Sequence, residues 1–202
     1  MKTAAWTQVT GPVAEPLSLE EIKEHLRVDA ADEDALIADY IAAARGAAEA
    51  YTGRAFVTQT WQAHFTGWPA DGVLELPLPP LQSVAWVKYT PVLAGGGAGV
   101  LTTLSASVYR VVTALEPGCV VLAPNQSWPS ETLDAGLPVV VQFVCGYGAA
   151  AAVPAGVKQA LRWLVGHMSE NREAVTMATS SPQQVPMSAR WALDPHRFRY
   201  YW

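Results

Sequence analysis

The stretch Pro16–Asp29, which reads PLSLEEIKEHLRVD, carries the signals for the first helix of the fold. The hydroxyl of Ser18 can accept from the amide of Glu21 while the Glu21 carboxylate accepts from the amide of Ser18, which is the pattern of a capping box. Apolar residues then recur at spacings of three and four, so the segment buries one stripe. Pro16 disfavours helix before it. We predict a first helix over residues 18–28.

Two longer helical patterns lie further along the chain. A cluster of acids at 29–34 precedes the second pattern, where the positive end of a helix favours negative charge, and Gly53 is the expected C-terminal stop. Pro154 is well placed as the first residue of the third pattern, which carries a continuous apolar stripe. We predict helices over residues 32–52 and 154–172.

The middle of the chain has the period of strands. At Phe56 the apolar period changes to two, and turn-rich pieces such as Pro77–Pro80 and Gly95–Gly97 separate the apolar runs. A small antiparallel β unit is therefore predicted over about 56–148, inserted between the helices. Its predicted strands are Phe56–Thr66, Val73–Leu76, Ser83–Tyr89, Tyr109–Val112, Cys119–Leu122 and Val139–Cys145.

The C-terminal segment lacks periodicity and ends in aromatic residues, with four in the last five positions. This pattern predicts an extended docking tail over 176–202, following one main domain over 1–175. The alternative is that the segment folds back onto its own subunit. The predicted fold class is α+β: a helical bundle of about three main helices, an inserted small antiparallel β unit and an extended C-terminal tail.

The composition favours a soluble subunit of a larger assembly. Apolar residues make up 50% of the chain and charged residues 15%, whereas soluble domains have roughly 25% charged residues, so part of the surface is neutral or covered by a partner. No window is apolar over the roughly 18 residues that a membrane helix needs, and the start lacks the apolar stretch of a signal peptide. We therefore expect a cytosolic protein without membrane contact. The net charge of -5 provides no uniformly basic face for gripping DNA.

The sequence predicts no catalytic residue, no metal site and no cofactor. Cys119 and Cys145 fall inside predicted strands, which indicates buried free thiols and not a disulfide framework or a zinc site. The glycines at 95–99 are not followed by the Lys-Ser/Thr of a phosphate loop. His167 and Glu170 have no second histidine at helical spacing to complete a metal site.

Several stretches, taken in their order and spacing, carry a resemblance that runs nearly end to end. They are Pro16–Asp29, Asp34–Arg54, Gln59–Trp61, Leu76–Val84, Tyr109–Val111, Gly146–Gly148, Val153–Ala160 and Gly166–Val175. The chain resembles the phage head-tail connector (adaptor, head-completion) proteins of long-tailed phages and gene transfer agents.

The resemblance implies a non-enzymatic structural subunit of the virion. It implies a homo-oligomeric ring of about 12 copies beneath the portal, at the head-tail junction, assembled in the host cytoplasm. The helices would form the ring, and DNA would pass through the central channel without sequence-specific binding. The implied partners are further copies of the chain, the portal protein and a tail-side stopper or tail terminator protein.

The C-terminal segment is the candidate portal-docking surface. Aromatic side chains would supply contact area, arginines would supply charge-assisted hydrogen bonds, and the segment would become ordered on the portal. The candidate residues are Arg190, Trp191, Arg197, Phe198, Arg199, Tyr200, Tyr201 and Trp202.

Two further candidate surfaces lie on the first two helices. Small side chains on helix two would allow close packing on a neighbouring subunit or on the third helix, and exposed acids would face the channel and repel DNA. Solubility alone would explain the acids equally well. The packing residues are Ala43, Ala47 and Ala50. The channel-facing residues are Glu20, Glu24, Asp32 and Asp39.

Two other functions remain open. A tail-side stopper or completion protein of the same particle would share this composition and location. A small enzyme or ligand-binding domain would instead need a groove, and eight tryptophans in 202 residues make a tryptophan-lined groove conceivable. The residues that would line it are Trp61, Trp68, Trp86 and Trp128.

Overall fold

The computed structural model describes residues 3–171 and 186–198. The chain forms two compact units, and both are discontinuous in sequence. The strand unit contains Met1–Val13 and Thr58–Tyr147, and the helical unit contains Ala14–Val57 and Gly148–Trp202. The start of the chain belongs with the strands, and the predicted β insertion over about 56–148 makes up most of the strand unit.

The strand unit contains two antiparallel sheets. A five-stranded sheet has the order β1-β2-β8-β4-β5, and a three-stranded sheet has the order β3-β7-β6. The six predicted strands are observed, while β1 and β5 were not predicted. The strands are β1 (Ala5–Thr10), β2 (Gln59–Phe65), β3 (Val73–Glu75), β4 (Leu81–Tyr89), β5 (Thr102–Thr103), β6 (Tyr109–Val112), β7 (Cys119–Leu122) and β8 (Val139–Cys145).

The central strand β8 shows how the pleat divides the larger sheet into two faces. Successive side chains of a strand point to opposite faces, and in β8 every second residue is fully buried, from Val139 to Cys145. Cross-strand partners follow the same parity, since Ala63 lies opposite Val141 and Phe65 lies opposite Val139. One face of the sheet is therefore core, and the other is half-exposed.

The helical unit contains four helices. They are α1 (Leu19–Leu26), α2 (Asp34–Thr52), α3 (Ala155–Glu170) and α4 (Met187–Leu193), with short 3-10 helices at Ala150–Ala152 and Asp194–His196. The capping box is confirmed, because the Glu21 amide donates to Ser18 Oγ at 3.1 Å and the Ser18 amide donates to Glu21 Oε2 at 2.9 Å. Gly53 ends α2 in the left-handed conformation, with φ of 68°.

The core of the helical unit is built from the apolar stripes of α2, α3 and α4. Small residues at Ala44 and Ala48 of α2 and at Ala160 of α3 are fully buried, which allows close approach of the helix backbones. No helix within the described ranges is both long and apolar enough to cross a membrane. The remaining buried residues of these helices are Ile37, Ile41, Thr52, Val157, Leu161, Leu164, Val165, Ala189 and Leu193.

The prediction of an extended C-terminal tail is wrong for residues 187–196, which are helical. Pro186 precedes α4, and Ala189 and Leu193, four residues apart, bury one side of it. A helix this short is stabilised by tertiary packing and not by its own propensity, so no long periodic pattern announces it. The alternative, folding back onto the same subunit, holds for 187–198. The rest of the predicted tail lies outside the described residues.

Candidate interaction surfaces

The C-terminal segment is anchored at the end of α2 by hydrogen bonds to backbone carbonyls. The Phe198 amide donates to the Thr52 carbonyl at 2.7 Å. Arg54 Nε donates to the His196 carbonyl at 2.5 Å. These bonds satisfy carbonyls that a helix end and a 3-10 turn leave open, and they hold residues 194–198 against their own subunit.

Side chains reinforce the same anchor. The Tyr51 hydroxyl donates to Asp194 Oδ1 at 2.7 Å, and this hydrogen bond raises the pKa of Tyr51. The Arg197 guanidinium lies 5.0 Å from the centroid of the Tyr51 ring, within the range of a cation–π interaction. Arg197 is therefore committed in part to its own subunit, although its side chain is exposed.

The outer side of α4 is apolar and open to solvent. Met187 is 87% exposed and Trp191 is 77% exposed, and a spacing of four places both on one side of the helix. Of the predicted docking residues, Trp191 and Arg197 are exposed, while Arg190 and Phe198 are half-buried. The other four, Arg199, Tyr200, Tyr201 and Trp202, lie outside the described residues.

The predicted alanine surface of α2 faces away from the bundle. Ala43 and Ala50 are exposed and Ala47 is half-buried. The alanines that pack inside the unit are Ala44 and Ala48, one residue further along the helix. Ala43 and Ala50 therefore do not pack on the third helix, and the contact with a neighbouring subunit stays a prediction.

The predicted channel acids are all exposed, and none of the four is ion-paired among the described residues. The pKa of Glu20 is lowered by a backbone hydrogen bond and by Ser18, so its carboxylate is ionised at neutral pH. Other acids of the same unit are paired, for example Asp34 with Lys23 at 2.6 Å. The four exposed acids are Glu20, Glu24, Asp32 and Asp39.

Three further ion pairs lie within the helical unit. Arg45 Nε contacts Glu15 at 2.7 Å and Arg45 Nη1 contacts Glu49 at 2.9 Å. Arg162 of α3 contacts Glu21 of α1 at 3.2 Å. The acids of this unit therefore divide into a paired set with a structural role and an exposed set that a partner or solvent faces.

The tryptophan-lined groove is not formed by the four residues proposed for it. Trp61 pairs with Phe143 and Trp86 with Gln142, which are adjacent in β8, so the two rings lie on opposite faces of the sheet. Trp68 stacks on Trp128 with centroids 4.7 Å apart and an angle of 5°. Trp61 and Trp86 therefore do not share a groove, whereas Trp68 and Trp128 contact each other.

The described residues include no metal-ligand cluster and no paired cysteines. They contain no group of three or more His, Cys, Asp or Glu side chains that could hold a metal. Cys119 and Cys145 are free and buried, as predicted, and burial raises the pKa of Cys119, which keeps its thiol protonated and unreactive. The sequence analysis did not predict the exposed edge strand β1. The strand has six residues and only Ala5 is half-buried, so its sequence shows no alternation of buried and exposed positions.

Comparison with known proteins gives a match at the level of sequence and of fold. Residues 16–85 match the family described as Phage gp6-like head-tail connector protein. No curated protein sequence matches the chain. A chain in the neck of an empty gene transfer agent (GTA) particle, computed with C6 symmetry, aligns with a TM-score of 0.77 and 24% identity, over 98% of this chain and 97% of that chain.

Two related structures give the same result. A chain of the virion of a native GTA particle aligns with a TM-score of 0.75 and 24% identity. A chain of the neck of the native particle, computed with C12 symmetry, aligns with a TM-score of 0.75 and 23% identity, again over 98% of this chain and 97% of that one. At these identities the structures establish a shared fold. The matched family is one of structural connectors and not of enzymes, and the resemblance of this chain to the phage head-tail connector family is confirmed.

Proposed function

We propose that this protein is the adaptor subunit of a head-tail connector, forming a ring under the portal that joins capsid to tail. The observation that carries the proposal is the fold match over 98% of the chain, at a TM-score of 0.77, to a chain of a GTA particle neck. The connector family match over residues 16–85 supports it independently from the sequence.

A ring of about 12 copies is the assembly that the proposal requires. The neck of the native GTA particle was computed with C12 symmetry, and a closed ring needs two different surfaces on each copy that fit one another. The outward face of α2, with Ala43, Ala47 and Ala50, is one such surface, because small side chains let a neighbour approach closely. We place this face against an adjacent subunit.

Portal binding is assigned to the C-terminal segment, in a form revised by the structure. Because α4 is folded on its own subunit, its open side presents Met187 and Trp191 as preformed apolar anchors. Arg197, which is exposed and follows shortly after the end of α4 at Leu193, can add a charge-assisted hydrogen bond. Arg199–Trp202, outside the described residues, are proposed to contact the portal as well.

The exposed acids fit a channel through which DNA moves without sticking. Glu20, Glu24, Asp32 and Asp39 are exposed and face no basic partner among the described residues. Carboxylates near a DNA phosphate backbone repel it, and the repulsion weakens with salt. We assign these four residues to the channel side of the ring.

The test is electron microscopy of the purified chain, alone and mixed with the portal protein of the same particle. We expect rings with a central hole on the portal. Ala43→Trp should prevent ring closure, whereas Ala38→Trp, at an exposed position about 140° around α2 from Ala43, should not. A wild-type chain that neither forms rings nor binds the portal would contradict the proposal.

Portal docking has its own pair of variants. Truncation after Val185 would remove Ala189 and Leu193 from the core, so truncation after Phe198 and Trp191→Ala are the cleaner changes. Both should keep the fold, measured by circular dichroism, and weaken portal binding. A chain that binds only a portal already bearing another ring protein would instead be the tail-side stopper of the particle.

A further inference from the structure

The free edge of the larger sheet is unusual for a protein exposed to water. β1 is an edge strand whose residues from Trp6 to Thr10 are all exposed. Trp6 is 48% exposed and Val9 is 49% exposed, and residues 3–14 contain no charged side chain. Natural edge strands are commonly protected by charge, because an unprotected row of backbone groups invites another strand. The register of β1 with β2 is regular from Ala5 to Gln8.

The opposite edge of the same sheet has the same character. β5 pairs with β4 through two residues only and is fully exposed. It follows a glycine-rich hairpin, and residues 89–109 contain no charged side chain. We call residues 91–104 the arm. Three of its apolar side chains project into solvent: Leu93 is 56% exposed, Val100 is 82% exposed and Leu101 is 47% exposed.

The arm has a defined conformation. The Leu93 amide donates to the Gly97 carbonyl at 2.8 Å, and the Gly99 amide donates to the Pro91 carbonyl at 2.7 Å. A Cβ at Gly99 would lie 2.6 Å from the Pro91 carbonyl oxygen, so this crossing of the two strands of the arm requires glycine. A hairpin built this closely, yet with three apolar side chains open to water, has the features of a contact surface.

We propose that the β1 edge of one copy pairs with the β5 edge and arm of the next copy, continuing the five-stranded sheet from subunit to subunit. This inference rests on the proposed ring function and identifies one of its interfaces. The five strands alternate in direction, so β1 and β5 run the same way. A head-to-tail continuation therefore pairs β1 and β5 in parallel.

A second copy is the occupant that the observations favour. The two edges differ, lie at opposite ends of one sheet and both lack charge, so each can cover the other without burying an unpaired ion. In a closed ring every copy would use both edges, and none would stay exposed. Pairing of β1 with β1 about a two-fold axis would be antiparallel, would stop at two copies and would leave the arm uncovered.

Disulfide cross-linking tests the contact directly. Thr7 lies opposite Gln62 of β2, which lies opposite Gln142 of β8. Thr103 lies opposite Lys88 of β4, which lies opposite Val140 of β8. Because Gln142 and Val140 are on the half-exposed face of the sheet, Thr7 and Thr103 share that face. The double variants Thr7→Cys with Thr103→Cys and Ala5→Cys with Thr103→Cys cover two registers on that face. The native cysteines are buried and stay out of the reaction.

We expect mild oxidation of a double variant, concentrated and with the portal protein present, to give a ladder of covalent oligomers on denaturing gels. Each single variant should remain monomeric. Disulfide dimers from Thr7→Cys alone would indicate two-fold pairing and overturn the proposal. The absence of a ladder from both double variants would also overturn it.

Charge placed at the edges separates this inference from the function on which it rests. Val9→Lys and Val100→Lys should each prevent ring formation, whereas Val111→Lys, on the exposed strand β6 of the other sheet, should not. If Val9→Lys and Val100→Lys form rings as the wild type does, the proposed sheet contact is overturned and the connector function is left intact. Failure of the wild type to form any ring would count against the function itself.

Discussion

The helical unit and the strand unit differ in how charged their solvent-exposed surfaces are. The helical unit surrounds its apolar stripes with charges, some in ion pairs such as Lys23 with Asp34 and some open to solvent such as Asp39. The strand unit buries one face of its larger sheet but leaves both edges uncharged and exposed. This difference is the basis for the proposal that another copy of the chain covers the two sheet edges.

The largest expected effect separates the core of the sheet from its edges. Phe143 is fully buried at the centre of β8. Phe143→Ala should lower the free energy of unfolding by about 3–5 kcal/mol, because it removes apolar burial and leaves a cavity. Urea denaturation measures the change. Leu101→Ala, on the exposed arm, should alter the free energy of unfolding by no more than about 0.5 kcal/mol; equal losses would erase the distinction between core and edge.

The next effect separates the two sides of α4. Leu193 is fully buried, so Leu193→Ala should destabilise the helical unit by about 2–4 kcal/mol and release the segment from α2. Trp191 is on the open side, and Trp191→Ala should change the free energy of unfolding by about 0.5 kcal/mol or less. Thermal unfolding followed by circular dichroism compares them. A large stability loss from Trp191→Ala would mean that α4 does not have a free side.

A smaller effect concerns the start of the helical unit. Ser18→Ala removes the hydroxyl that accepts from the Glu21 amide, and the free energy of unfolding should fall by about 1 kcal/mol. Ser18→Asp retains an acceptor at the cap and should restore most of the loss. If Ser18→Asp were as unstable as Ser18→Ala, the capping interaction would not be the cause.

The smallest effect is a pH dependence of the C-terminal anchor. The pKa of His196 is lowered below its usual 6.5, first by burial and then by the Arg54 charge. Well above pH 6.5 the His196 imidazole is neutral in both the folded and the unfolded state, so the free energy of unfolding does not depend on it. As pH falls below 6.5 the unfolded state takes up the proton first, so the anchor weakens.

Hydrogen exchange at the Phe198 amide, which is bonded to Thr52, measures this weakening. Exchange should be compared between pH 7.5 and 5.5 after correction for the intrinsic rate. His196→Gln has no proton to gain and should lose this component of the pH dependence. An unchanged pH profile in His196→Gln would assign the effect to another group.

The contrast between the units also explains which elements could be predicted. Long apolar periods, caps and turn residues are local, so α1, α2, α3 and six strands could be located from the sequence. α4 and β1 could not, because a helix of seven residues and a strand with only one half-buried residue carry too little periodic signal. The candidate surfaces divided similarly: exposure of Glu20 and Glu24 was predictable from charge, whereas the separation of Trp61 from Trp86 depended on strand register.

The sequence by itself determined the fold class, the positions of the main helices, the buried cysteines and the resemblance to connector proteins, because these depend on residue type and on spacing along the chain. Only the tertiary structure decided that the first strand joins the larger sheet, that α4 returns to its own subunit, and that β1 and the arm occupy opposite edges. These features arise from contacts between residues far apart in the chain, such as Ala5 with His64, and local propensity does not encode which distant partner a short segment will find.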